Sequence, residues 1–284
     1  MTEKHLSKYQ VVGGIFLSIV CLVIAQLAAI GVGRIVVKIG IPNAVANIFT
    51  GVISIVLILI NLKVLIEKVL KSTLNEYRIC PTNMKLKYVV IGFLMVIFVI
   101  VLLITTGAEF KIGNATNKLE IITASVFFFG IATGIAEESI FRGVILGILE
   151  KKLNRKWAIL IPSVIFGGLH IIGRDLDIIS IIQLMVAGTF VGILFSLITI
   201  ESNSIWNSAI VHSIWNIVFI GKIINIGISE NPESIYNIVL LSKNLLITGG
   251  DFGVEASLPS ISIYIIFSLV VYKLLKNNDR YFQN

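Results

Sequence analysis

The sequence predicts an all-α fold, a polytopic bundle of about eight transmembrane helices in one integral membrane domain over residues 1–284. Two observations predict it. Hydrophobic residues make up 56% of the chain and charged residues only 14%, whereas a soluble domain carries about 25% charged residues. The apolar residues also come in long runs, and a helix needs about 20 of them to cross a bilayer. Only helices satisfy the backbone of segments this long and apolar.

The runs fall at roughly 11–35, 43–62, 88–107, 120–149, 156–173, 178–200, 204–222 and 257–276. The first follows Lys4 and Lys8 and extends from Val11 to about Val37. That is longer than a signal-peptide core of about 7–15 residues, so it reads as an uncleaved span. The fourth is predicted to be unusually long, because Glu120 to Lys152 exceeds the ~20 residues that a span needs. The eighth follows a mixed stretch, Gly227 to Ser257. Within that stretch Ile235 to Ile247 is too short to span and reads as interfacial or re-entrant. The chain has no internal repeat and no low-complexity tract.

The net charge is +7, and its distribution argues for membrane orientation rather than nucleic-acid binding. Basic residues gather between spans two and three (Lys63, Lys68, Lys71, Arg78, Lys85, Lys87), between spans four and five (Lys151, Lys152, Arg155, Lys156) and in the tail (Lys273, Lys276, Arg280). The alternate segments carry Arg34, Lys38, Lys111, Lys118, Arg174, Lys222 and Lys243. With Lys4 and Lys8, the first set holds fifteen basic residues against seven in the second. By the positive-inside rule both termini are expected in the cytoplasm. No phosphate-binding glycine loop or basic–aromatic stripe suggests a nucleic-acid partner. Cys21 and Cys80 form no CxxC or Cys/His cluster, which excludes zinc held by thiolates.

Ionisable residues inside a span cost about 2.5–3.5 kcal/mol each on insertion scales and are functional hypotheses by default. Span four holds three: Glu137, Glu138 and Arg142. Glu138 and Arg142 are four apart and share a helix face, while Glu137 is turned about 100° away. A carboxylate there is a candidate general base or acid. Of three histidines, His5 is in the polar N-terminus and His170 and His212 lie in apolar spans. His212 and Asn216 are one turn apart on one face, and Asn207 faces elsewhere. Counted at 1.5 Å per residue, Glu137 and His170 each lie about 21 Å from the Lys151–Lys156 segment, and His212 about 12 Å into its own span.

Other features read as structural. Gly130/Gly134 and Gly188/Gly192 have the small-xxx-small spacing of packed membrane helices. Trp206 and Trp215 read as packing or interface residues, and Asn203 and Asn207 as facing a loop or water. Two carboxylates, an arginine, two histidines and an asparagine nonetheless coincide in the spans from four to seven. Those groups supply a base, a second proton carrier and oxyanion donors.

The motifs themselves resemble the CPBP family of intramembrane proteases, which includes type II CAAX prenyl endopeptidases and bacteriocin-immunity-type homologues. EExxxR is matched by Glu137, Glu138 and Arg142, FxxxH by Phe166 and His170, and HxxxN by His212 and Asn216. The resemblance covers about residues 120–220, the expected catalytic core. It implies that Glu137 and His170 activate water and that His212 and Asn216 stabilise the oxyanion. Arg142 and Glu138 orient the site, or Glu138 shares the base's work. No metal cofactor is expected. The alternative is Zn2+ on Glu137, His170 and His212, since catalytic zinc takes three protein ligands and a water.

The function expected is an intramembrane endopeptidase cutting a membrane-associated peptide or protein near the cytoplasmic side. The alternative is a non-catalytic immunity or regulatory protein that retains the fold. A proton-relay transporter would require paired broken helices in two halves, and no such symmetry is present. The expected partners are the lipid bilayer and the substrate. Tyr281-Phe282-Gln283-Asn284 is not a CaaX box. The Ile-, Lys- and Asn-rich composition points to a microbe, and so to its plasma membrane.

Overall fold

Residues 6–277 are described in a computed structural model. Lys4, His5, Arg280 and Tyr281–Asn284 lie outside the described residues, and so do the readings that rest on them. All eight predicted segments are helical. They are α1 (Lys8–Lys38), α2 (Asn43–Val69), α3 (Leu86–Thr105), α4 (Lys118–Glu150), α5 (Arg155–Leu169), α6 (Ile178–Ser202), α7 (Ile205–Phe219) and α8 (Leu258–Asn277). Six are long and apolar enough to cross a membrane, and the chain is an integral membrane protein. Their outer faces are apolar, as on α3, where Val90, Phe93, Ile97 and Val101 are exposed. Lipid is the solvent that tolerates such a surface.

The other two, α5 and α7, have 15 residues each. They rise about 22 Å, short of a hydrocarbon core of ~30 Å. Both stop earlier than the apolar runs suggest. After Gly167 and Gly168 the chain tightens, His170 N–H bonding Gly167 O and Ile171 N–H bonding Gly168 O. The start of α7 is set by Asn203, which adopts φ 51° at the end of α6, and by the Ser204 side chain, which caps the new helix at Trp206 N–H.

Among the described residues, the chain departs from a purely helical fold in one place. A three-stranded sheet is built from β1 (Ala108–Ile112), β2 (Ile224–Gly227) and β3 (Tyr236–Leu240), in the order β1-β3-β2. β3 pairs antiparallel with β1 and parallel with β2. The stretch Ile235 to Ile247, expected to be interfacial or re-entrant, instead holds this strand and then a helical turn at Leu245–Thr248. Its Tyr236, Ile238 and Val239 suit a pleated surface, and β1 supplies a partner that no local pattern could reveal.

α4 runs 33 residues, the long helix expected. It is not uniform: Ala124–Ala132 and Ser139–Ile145 are wound as wider π-helix, a form common at functional sites. Glycines bring its neighbours close. A Cβ on Gly134 would lie 2.5 Å from Ser213 Oγ and 3.0 Å from Ala209 O of α7. A Cβ on Gly188 of α6 would lie 2.5 Å from Gly167 Cα of α5. Both small-xxx-small pairs are thus contact surfaces, as read.

The two ends of the bundle differ. At one end Arg78 bonds Glu150 at 2.7 Å and Lys151 bonds Glu76 at 2.9 Å, drawing the α2–α3 loop onto the end of α4. Asn207 accepts from Lys85 N–H and donates to Asn83 O, and the Trp206 indole donates to Ile79 O, tying the same loop to α7. At the other end lie the α5–α6 connection, the sheet, and the segment leading into α8.

Candidate active site

The EExxxR triplet is carried by α4 at the junction of α-helical and π-helical winding. Arg142 is 1% exposed, and Glu138 is fully buried. Arg142 Nη1 donates to Glu138 Oε1 at 2.8 Å, and Nη2 donates to Gly192 O of α6 at 3.3 Å. Its guanidinium lies over the rings of Phe166 and Phe195, at 4.6 and 5.2 Å. A buried charge persists when it is paired and hydrogen-bonded, and this one has a carboxylate, a carbonyl and aromatic faces.

Glu138 has a second partner. His212 Nδ1 lies 3.0 Å from the same Oε1. A carboxylate only accepts, so Nδ1 carries the proton. Arg142, Glu138 and His212 therefore form one chain across α4 and α7, and Phe195 stacks on the imidazole with centroids 4.9 Å apart. Glu137 does not join the arginine. Its Oε2 is buried, has no hydrogen-bond partner and lies 3.8 Å from His212 Nε2.

His170 closes α5. Its Nδ1 sits 2.7 Å from Phe166 O. A carbonyl only accepts, so Nδ1–H donates, and in the neutral ring the lone pair is on Nε2. The Phe166 ring packs against His170 at 4.7 Å and against His212 at 6.0 Å, edge-on. The four-residue spacing of FxxxH thus supplies both the carbonyl that fixes the tautomer and the wall between the two imidazoles.

Glu137, His170, His212 and Asn216 line a single cavity of about 200 Å³. The unequal depths counted along the helices do not separate them, because Gly134 rests directly on Ala209 and Ser213. Glu138, one turn beyond Gly134, then falls level with His212. Asn216 Nδ2 donates to Phe129 O at 3.1 Å, so one of its two amide hydrogens is spent on α4. Among the described residues, no group of three His, Cys, Asp or Glu side chains is gathered so as to hold a metal ion.

The motifs do not account for the whole lining. Trp215, read as packing, faces the cavity and also packs on Tyr264 of α8. Arg174, Phe252 and Glu255 complete the mouth. Arg174 lies 4.7 Å over the Phe252 ring, which meets His170 edge-on at 6.4 Å. Burial pushes the Glu255 carboxyl up to about 7, against the opposing pull of Arg174, a hydrogen bond with Trp215, and His212. In the sequence Arg174 is one basic loop residue among several. Glu255 sits outside the spans, where a carboxylate is ordinary. Its one signal is its position between a glycine-rich segment, Gly249 to Gly253, and an apolar helix.

Compared with known proteins, residues 119–218 match the family described as type II CAAX prenyl endopeptidase Rce1-like. The match covers about a third of the chain and contains all three motifs. The resemblance to CPBP proteases therefore stands over this segment, and the family it matches is one of endopeptidases. No curated protein and no solved structure matches the chain.

Proposed function

We propose that this protein is an intramembrane endopeptidase that hydrolyses a peptide bond in a membrane-associated peptide or protein by a water activated between Glu137 and His170. The observation that carries the reading is the shared cavity. Four polar side chains from three helices converge in one chamber whose walls include Phe166, Val191 and Phe195, and one buried oxygen of Glu137 lacks a partner there. A carboxylate oxygen that faces the cavity beside two imidazoles is placed to accept from an attacking water.

The steps follow from the atoms. Glu137 Oε2 and His170 Nε2 both accept, so each can hold a water and take its proton as the oxygen attacks the carbonyl carbon. The proton then passes to the leaving amine. The oxyanion needs donors. Asn216 keeps one free N–H. His212 donates from Nε2 as an imidazolium, its Nδ1–H meanwhile held by Glu138. Arg142 and Glu138 do not touch the substrate in this reading; they fix the ring of His212. Preorganised donors of this kind contribute most when water is otherwise excluded.

A zinc reading has one observation in its favour. Both Nδ1 atoms are bound to oxygen acceptors, the outer contact that metal-bound histidines make. Glu137, His170 and His212 would be the ligands. Metal content of the purified protein decides between the readings, as set out in the Discussion. The peptidase reading itself is tested by Glu137→Gln in cells. The variant is expected to fold, insert and accumulate an uncut peptide that the wild type removes. Unchanged processing would overturn the reading.

A further inference from the structure

The cavity lies toward one end of the bundle, and the charge pattern says which side of the membrane that end faces. His170 closes α5, Arg174 sits in the α5–α6 connection, Phe252 and Glu255 precede α8, and Asn216 lies near the end of α7. All belong to the end opposite the α4–α5 turn. Arg174 is exposed there and Phe252 half-buried, so this end is the mouth. The opposite end collects the basic segments. Lys151 reaches Glu76 and Arg78 reaches Glu150, so the loops bearing Lys71 to Lys87 and Lys151 to Lys156 meet in space as well as in sequence. Among the described residues, thirteen basic residues belong to that end by connectivity and seven to the cavity end. Cytoplasmic segments are the ones enriched in Lys and Arg.

We propose that the cavity opens to the extracytoplasmic side and that its substrate is a peptide segment presented at that face. The substrate half of this statement rests on the peptidase reading; the sidedness does not. A lipid-modified C-terminus held on the cytoplasmic leaflet lies at the wrong end of the bundle to enter. The cut expected near the cytoplasmic side is replaced by one near the opposite face. The cavity offers a peptide apolar walls at Phe166 and Val191 and polar side chains, Arg174 and Glu255, toward its open end.

The native Cys80 is exposed in the α2–α3 loop and provides an internal control. Asp175, exposed in the α5–α6 connection, lies outside the proposed machinery. In intact cells, a membrane-impermeant maleimide is expected to label Asp175→Cys in a Cys80→Ser background. Cys80 in the otherwise wild-type protein is expected to be labelled only after permeabilisation. The reverse pattern would overturn the proposal. A second arm follows the uncut peptide in Glu137→Gln cells. Its recovery in the extracytoplasmic fraction supports the proposal, and its recovery in the cytosol contradicts it. If no peptide accumulates, the peptidase reading and the substrate half fall, and the labelling pattern still decides the sidedness.

Discussion

Glu137 and Glu138 are adjacent in sequence and differ in almost every contact. Glu138 is fully buried and gives one oxygen to both Arg142 and His212, whereas Glu137 lines the cavity. The helical turn of about 100° per residue separates the two roles. Glu137→Gln keeps the volume and removes the base, and kcat is expected to fall by at least the ~10²–10³ that loss of an oxyanion donor costs, with expression and thermal unfolding near normal. Arg142→Lys is expected to impair both fold and activity. An ammonium cannot fork between Glu138 and the Gly192 carbonyl while lying flat on Phe166, and thermal unfolding in detergent together with a cleavage assay checks this. Glu255 gives a pH signature. Its carboxyl is raised from 4.5 to about 7, so the folded chain holds a proton that the unfolded chain has already lost in that window. Its contribution to stability therefore declines as pH rises from about 4.5 to 7. Glu255→Gln is expected to be the more stable protein at pH 8, and its advantage to vanish at pH 4; unfolding temperatures at the two values measure it.

Helices position these groups through small residues. Gly134 sets α4 against α7, and Gly188 sets α6 against α5. Substituting Gly188 by Leu would drive a side chain into the Gly167 backbone and separate α5 from α6. Overpacking typically costs about 1–3 kcal/mol, and the displacement moves His170 as well. The expected result is a lowered unfolding temperature together with lost cleavage. Retention of both would show that the close crossing is dispensable. The spacing of the glycines was readable in the sequence as a packing surface. Which helix each one met was not, because small-xxx-small spacing states closeness without naming a partner.

At the scale of the whole molecule, metal content tests the chemistry. Purified protein is expected to contain less than stoichiometric zinc and to retain cleavage in strong chelators. Stoichiometric zinc, with activity lost to chelation and restored by the metal, would assign His170 and His212 as ligands instead. The sequence by itself determined that the chain is a membrane helical bundle, where its eight helices lie, and which polar residues are out of place in lipid. Those properties are local: an apolar run, or a glutamate inside one, is visible without knowing its neighbours. Tertiary structure alone decided that Glu138 joins His212 to Arg142, that Trp215 and Glu255 face the cavity, and that Tyr236–Leu240 forms a strand. Each depends on a partner brought close from far along the chain: Glu138 and His212 are 74 residues apart, and β3 pairs with β1 across more than 120 residues. The end at which the cavity opens was decided in the same way, by where helices stop and loops return, which apolar length does not record.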